Sequence, residues 1–446
     1  MNLLTLCLLW LLCQTGIAQP APTLPLMVST NGRYLVGQNG QPFLYQADTG
    51  WQLFARLTLA EAREYLVARK VHGFTAVQVM LSINPDSVNR AGQKPLIDYD
   101  FGKPNEMYFA HAERVIRIAD SLGLVMNIAP FWIGCCREGF GVQAKHEVYK
   151  QSGPAGAMRM GQYLGTRFGK LNNIIWTMGG DNDPQSIRAE IVAMAEGLRK
   201  TAPRQLITYH ASPPHSSTDL FQYAPWLGYS MIYTYWREKP NDWVDSQQLV
   251  HVYETALREY NKTDRMPFIL GESQYEGDGS RFGNDMGTPQ QVRRQAWWTM
   301  LCGGAGHAYG HDGWNFPAGW RQIINYPAGS QHLRHVRGLL ETFPWWQLQP
   351  DQKHQVLVSG YGQYTQANYV AAAVSADKTR LVAYLPQPGI VTVDLGQLKG
   401  SALVARWFDP RTGQFGKPES LAGQSGLKRF GSPPQDDWVL VVNEGK

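Results

Sequence analysis

The stretch NNIIWTMGGDND, residues 172–183, decides how the chain reads. An apolar run, Ile174-Ile175-Trp176, continues through Thr177-Met178 into Gly179-Gly180 and then into Asp181-Asn182-Asp183. A short apolar run bounded by turn residues reads as a fully buried strand, and such strands belong to parallel sheets covered on both faces. The strand at 173–178 therefore ends abruptly and leaves a carboxylate, Asp181, at its tip.

Working outward, the same unit recurs. Thr58 to Glu61 form a capping box that opens a helix, and Gly73 stops it. The strand FTAVQVM (74–80) follows, then a helix over 105–122 ended by Gly123, and the strand LVMNIAPFW (124–132). A helix near 155–169 precedes the opening stretch, and a helix over 185–201 precedes QLITYH (205–210). GYSMIYTY (228–235), a helix over 246–261, PFILGE (267–272), a helix over 288–301, AGHAYG (305–310) and a helix near 329–342 complete the series. Upstream, residues 32–46 read as two short strands around the turn Asn39-Gly40, running into ADTGW. Short unalternating strands, each followed by a helix, predict an α/β fold, a (β/α)8 TIM barrel. A doubly wound sheet is the alternative, but no GxGxxG follows a strand.

After Pro350 helical periodicity disappears. VLVSGY, YVAAAVS, RLVAYLP, GIVTVDL, LVARWFDP and DWVLVV are short strands at near-regular spacing, which predicts a small antiparallel β-sandwich over 351–446. The linker TFPWWQLQPDQKHQ has no Gly/Ser run, so the two domains are expected to pack through the Pro344-Trp345-Trp346 region. At the other end, the apolar core of MNLLTLCLLWLLCQTGIAQ is too short to span a bilayer and ends in small residues. Residues 1–18 read as a signal peptide, which makes the mature barrel domain 19–350 and the protein secreted or periplasmic. A lipid anchor on Cys13 is the less favoured reading, because Leu12 is large for such a site.

Charged residues make up 17% and the net charge is +5, with no Lys/Arg tract, which argues against nucleic acid as a partner. No further segment is apolar enough to span a membrane. Of five Cys, the adjacent Cys135-Cys136 read as free thiols in a loop rather than a vicinal disulfide, without a catalytic role. No CxxC or HExxH pattern occurs, so neither a metal site nor a cofactor is expected. EGDGSRFGND (276–285) lacks calcium-loop spacing and reads as a flexible loop. Partner proteins are not indicated.

Chemistry in such a barrel sits at the C-terminal ends of the strands. Those ends carry Asp48, Thr49 and Trp51; Asn127 and Trp132; Asp181; His210; Tyr233 and Tyr235; Glu272 with Gln274; and His307. Asp181 and Glu272 are the candidate catalytic pair, since glycosidic hydrolysis needs two carboxyls flanking one bond. Gly179-Gly180 are read as letting a sugar approach the backbone. Glu272 ends an almost wholly apolar strand, where a carboxylate is costly unless used or paired. The other residues are candidate substrate contacts. Asp183, followed by Pro184, reads as the cap of the next helix. The competing reading is a non-catalytic carbohydrate-binding or adhesion protein on a degenerate barrel.

The NGRYLVGQNGQPFLYQADTGW opening, the WTMGGD and ILGES strands and the WFDPRTG tail resemble the apiosidase-like glycoside hydrolases, family 140. The resemblance covers about residues 25–445, and it rests on the WTMGGD and GES pair in this order. It implies a secreted retaining glycosidase acting on oligo- or polysaccharide of plant cell-wall pectin, at apiose linkages in rhamnogalacturonan II. By motif, Asp181 falls at the acid/base and Glu272 at the nucleophile, while Asp48 and Trp51 fall in a substrate-contacting stretch. The family's C-terminal domain carries a collagen-binding label for which nothing in residues 351–446 argues. The segment 132–153 departs from the family pattern, so sugar identity does not carry over.

Overall fold

The computed structural model describes residues 20–83, 87–134, 143–184, 186–234, 250–277, 287–325 and 327–445. The signal-peptide reading, Cys135-Cys136, Tyr235 and most of the 276–285 loop lie outside these residues.

Three two-residue strands come first, β1 (Met27–Val28), β2 (Leu35–Val36) and β3 (Pro42–Phe43), paired antiparallel in order. Gly40 takes a positive φ of 74° in the turn between β2 and β3, the conformation for which Asn-Gly was read. Eight barrel strands follow: β4 (Tyr45–Thr49), β5 (Ala76–Met80), β6 (Val125–Ala129), β7 (Ile174–Gly179), β8 (Ile207–His210), β9 (Ser230–Tyr233), β10 (Phe268–Glu272) and β11 (Gly306–Tyr309). They form one parallel sheet in the order β8-β7-β6-β5-β4-β11-β10-β9. The seam between β8 and β9 is drawn together by Gly228 N donating to Ile207 O at 2.8 Å and the Thr208 hydroxyl donating to Tyr229 O at 2.6 Å. The result is a nearly closed (β/α)8 barrel, as the alternation predicted.

Local chemistry starts and stops its helices. The Thr58–Glu61 capping box opens Leu59–Val71, and Thr288 with Gln291 opens Pro289–Leu301. Gly73 and Gly123 end helices with positive φ. Three helix starts differ from expectation, one of them that of the helix read over 246–261, which begins at Val252 with His251 at its N-cap. The helix expected near 155–169 spans Gln143–Phe168 with a break at Gly153, whose φ is 59°. The helix expected from 185 begins at Arg188, with Ile187 at its N-cap. Asp183 is not its cap: Oδ1 accepts from Ser212 N at 3.0 Å and Oδ2 lies 2.6 Å from His215 Nδ1.

The barrel interior is layered. Its floor packs Tyr45, Ala47, Ala76, Ile175, Met231 and Ile269 onto Leu26, Leu35 and Phe43 of the β1–β3 sheet, which plugs the N-terminal end. Above the floor lies a polar layer. The Tyr45 hydroxyl donates to Gln78 Oε1 at 3.0 Å, Asn127 Nδ2 donates to Tyr45 at 3.0 Å, and Thr177 donates to Asn127 Oδ1 at 2.5 Å. These groups satisfy one another, which is what permits polar side chains in a barrel core.

The C-terminal strands are β12 (Leu348–Pro350), β13 (Leu357–Ser359), β14 (Ala371–Ser375), β15 (Arg380–Leu385), β16 (Ile390–Asp394), β17 (Leu403–Asp409), β18 (Gln414–Phe415), β19 (Glu419–Ser420), β20 (Leu427–Gly431) and β21 (Trp438–Glu444). A seven-stranded sheet, β12-β14-β15-β21-β17-β18 with β19 beside β17, faces the three-stranded sheet β13-β16-β20. Leu381, Ala383, Leu440 and Val442 meet Leu357, Val391 and Phe430 between them. This is the antiparallel β-sandwich expected.

The outer face of the larger sheet packs on the barrel. Val382, Tyr384, Phe408 and Val439 share a core with Trp297, Trp298 and Leu301. Trp345 belongs to this core, so the expected Pro344–Trp346 contact is present, but the helix Pro289–Leu301 carries most of the interface. Every residue of that helix from Gln291 to Leu301 is buried. Its Arg293 makes a two-pronged pair with Asp437, which also accepts from the Tyr384 hydroxyl at 2.9 Å. Among the described residues, no helix is long and apolar enough to cross a membrane.

Candidate active site

Three side chains converge at the C-terminal mouth of the barrel. β7 delivers Asp181, β8 delivers His210 and β10 delivers Glu272. One oxygen of each carboxylate and one ring nitrogen of His210 lie within 4.8 Å of one another. His210 sits between the acids, with Nε2 at 3.1 Å from Glu272 Oε2 and Nδ1 at 3.7 Å from Asp181 Oδ1. The His210–Glu272 contact is short in distance but poorly aligned, since neither atom completes a hydrogen bond. Nδ1 also meets a donor, Asp181 N, and an acceptor, Ala211 O, both at 3.3 Å, so the tautomer is not imposed by a single neighbour.

The two acids differ in environment. Asp181 is 17% exposed at the side chain and Glu272 9%. Burial pushes the Glu272 carboxyl up to about 8, against a hydrogen bond from Tyr275 that favours the charge. Burial also lowers His210, with the Asp181 charge opposing it, so the imidazole is neutral at pH 7. Near pH 7 Glu272 therefore holds its proton.

Aromatic rings wall the acids. Trp51 and Trp132 lie 4.8 Å apart, and Trp132 and Tyr233 approach His210 at 5.1 and 4.9 Å. Trp51 donates its indole N–H to the Tyr275 hydroxyl at 2.6 Å, and so supports the residue that bonds Glu272. The two glycines serve these rings. A Cβ on Gly180 would lie 2.3 Å from the Trp132 indole, and one on Gly179 would lie 2.5 Å from the Tyr209 ring. The pair thus leaves room for aromatic side chains, not for the approach of a sugar as read from the sequence. Asp181 itself has φ 52°, a left-handed conformation that Asp tolerates better than most residues.

Not every residue named from strand ends reaches this mouth. Asp48 turns outward, where Oδ2 accepts from the Tyr65 hydroxyl at 2.6 Å and pairs with Arg69 at 3.4 Å. Strand parity explains it: Tyr45 and Ala47 face the axis, so Asp48 faces the helices. His307 shares its register with Gln46 and Leu270 and turns outward likewise. Burial lowers its imidazole to about 3. Asn127 is held in the polar layer beneath the acids, with its amide engaged by Tyr45 and Thr177. Thr49 shares the register of Gln78 and faces the axis, buried. Gln274 is buried behind Glu272, its backbone meeting the Gln295 amide at 3.1 and 3.2 Å. Tyr275 and the Asp183–His215 pair were missed. Burial works against the Asp183 charge, but its bonds from His215 and Ser212 hold its carboxyl below the usual range, and Asp183 raises His215. Only Tyr275's place next to the expected contact Gln274 hinted at its role.

Asp181, His210 and Glu272 are also the described residues whose donor atoms come close enough to hold a metal ion. Ligands on one tetrahedral zinc lie about 3.3–3.5 Å apart. The present 4.8 Å would have to contract to accept one.

The sequence profile of the family described as "Apiosidase-like, catalytic domain" matches residues 29–347. The chain belongs to the apiosidase-like family. Residues 350–443 match the family described as "Putative collagen-binding domain of a collagenase". No curated protein matches the chain. Among solved structures it is similar to one titled "Glycoside hydrolase", with TM-score 0.83 and 25% identity over 95% of this chain and 99% of the other. It is also similar to a glycoside hydrolase family 5 protein from Bacteroides vulgatus ATCC 8482, with TM-score 0.81 and 25% identity over 94% and 93%. This apiosidase-like protein is a glycoside hydrolase.

Proposed function

We propose that this glycoside hydrolase is exported and cleaves plant cell-wall pectin with retention of configuration, at apiose linkages of the rhamnogalacturonan II kind. The observation that carries the mechanistic part is the separation of the acids. One oxygen of each acid lies within 4.8 Å of the other, which favours the close spacing of a retaining pair, about 5–5.5 Å between carboxyls, over the roughly 6.5–9.5 Å of an inverting one. Asp181 is the acid/base and Glu272 the nucleophile. Asp181, the more open of the two, protonates the departing oxygen, while Glu272 attacks the anomeric carbon from the apolar wall. For this the proton held on Glu272 must pass to Asp181 when sugar enters. His210, with one nitrogen facing each acid, offers the route: it accepts at Nε2 and releases from Nδ1. Desolvation of Asp181 by the incoming ring drives the transfer, because burial disfavours its charge.

Aryl glycosides with good leaving groups separate the roles. Asp181→Asn should keep activity on them and lose it on natural linkages, whereas Glu272→Gln should lose both. The opposite pattern would exchange the two assignments. Release of apiose from a pectin digest tests the substrate, and recovery of a chain beginning at Gln19 outside the cytoplasm tests export. Sugar binding without turnover in either assay would return the protein to the adhesion reading.

A further inference from the structure

A second cavity lies at the opposite end of the barrel, where the β1–β3 sheet, the linker and the sandwich meet. It encloses about 460 Å³, within the range of small-ligand pockets. Its walls come from the N-terminal ends of strands. Arg33 and Tyr34 adjoin β2, Tyr260 and Arg265 precede β10, and Trp346 and Gln347 belong to the linker. At least one strand length, roughly 15 Å for five residues, separates it from Asp181 and Glu272.

Its composition is unusual for a structural seam. Trp345 and Trp346 both line the cavity, Trp345 from the core between the domains and Trp346 only half-buried. Tyr34 stands beside it, with ring centroids 6.4 Å apart and planes tilted by 43°. Arg33 lies over the Tyr260 ring at 4.0 Å and donates to Tyr260 O at 2.8 Å. No described carboxylate lies in ion-pair range of Arg33 or Arg265, and Arg33 feels the charge of Arg265. Arg33 spends one of its five donors on the protein. Arg33, half-buried, and Arg265, exposed, thus put two guanidiniums on one cavity without a described carboxylate beside them, and an anion entering it would be attracted by both.

We infer that this cavity is a binding site for a carboxylated oligosaccharide, with Trp346 and Tyr34 stacking on sugar rings and Arg33 and Arg265 taking a uronate carboxylate. Aromatic faces suit the C–H face of a pyranose, and a guanidinium fork suits a carboxylate. Gln347 adds an amide for hydroxyl groups. A site so placed holds a polymer strand while leaving the barrel mouth free. The inference takes from the proposed function only that the chain meets polysaccharide. Because the binding assay needs no turnover, a protein that binds uronate oligomers but cleaves no pectin would refute that reading and leave this one standing.

The test uses full-length Glu272→Gln with trigalacturonate as the probe, followed by calorimetry. Saturable binding is expected, weakened at least tenfold by Arg33→Gln/Arg265→Gln and by Trp346→Ala, with uncharged mannotriose failing to compete. Equal binding in all variants would overturn the site, as would equal binding of mannotriose or a loss seen only on Trp132→Ala at the barrel mouth. Arg265 is exposed, so Arg265→Glu alone, with an unchanged melting temperature, keeps the test open if Trp346→Ala fails to fold. In the chain that retains Glu272, the Arg33→Gln/Arg265→Gln variant should hydrolyse a short aryl glycoside at the parental rate. A fall in that rate would reassign these residues to support of the catalytic barrel.

Discussion

Replacing Glu272 by Gln removes an ionisable group from a buried site while keeping its shape, so it isolates what burial does to the acid. The unfolded chain releases the Glu272 proton near 4.5, and the folded chain holds it to about 8. Between those values the folded state binds more protons, so stability falls as pH rises. The interval of about 3.5 pH units, at 1.36 kcal/mol per unit, gives about 5 kcal/mol as the whole loss. Below pH 4.5 both states are protonated and Gln should match Glu. Above pH 8 the variant should be more stable than the parent by about 3–5 kcal/mol. Chemical denaturation of both proteins at pH 5 and pH 8.5 measures it, and the gain of Gln over Glu should grow between the two pH values by that amount. Other groups that titrate in the window, His215 among them, are common to both proteins and cancel. A change in that gain below about 1 kcal/mol would refute the reasoning. It would mean that ionised Glu272 is already well solvated by Tyr275 and His210.

Further outcomes follow from the same geometry. Asp181→Asn should lower turnover of natural linkages by roughly 10²–10⁴-fold with an unchanged melting curve, and near-parental rates would remove Asp181 from the mechanism. Gly180→Ala drives a Cβ to within 2.3 Å of the Trp132 ring; kcat should fall on the order of 10²-fold through misplacement of the aromatic wall, and an unaffected kcat would show that Trp132 yields freely. Arg293→Ala leaves Asp437 buried and uncompensated, so unfolding free energy should drop by about 3–5 kcal/mol; a drop under 1 kcal/mol in urea titration would contradict the buried pairing. The barrel expressed as residues 19–350 should be insoluble or melt much lower, because the faces of Trp297 and Trp298 that meet the sandwich become exposed; a soluble, fully active fragment with the parental melting temperature would show that the interface is dispensable.

By itself the sequence determined the elements and their order. Apolar runs such as Ile174–Met178 and Phe268–Leu270, capping boxes at Thr58 and Thr288, and stops at Gly73 and Gly123 act over a few residues, so their effect is visible in linear order. The two carboxyls at the ends of β7 and β10 were legible for the same reason, since a barrel places all strand ends on one face. Side-chain direction was not legible at the other strands. Whether Asp48 and His307 point to the axis or to the helices depends on register against the neighbouring strand, a relation between segments far apart in the chain. The role of Gly180 was hidden likewise, because the ring that fills its missing Cβ comes from Trp132, which tertiary packing alone brings there. His210 became the bridge between the acids only when β8 took its place beside β7. The helix Pro289–Leu301 carries two arginines, and the sequence shows only its place, over 288–301. It is buried throughout because the sandwich brings Asp437 to Arg293 across 144 residues of chain, a pairing that only the closed tertiary structure could decide.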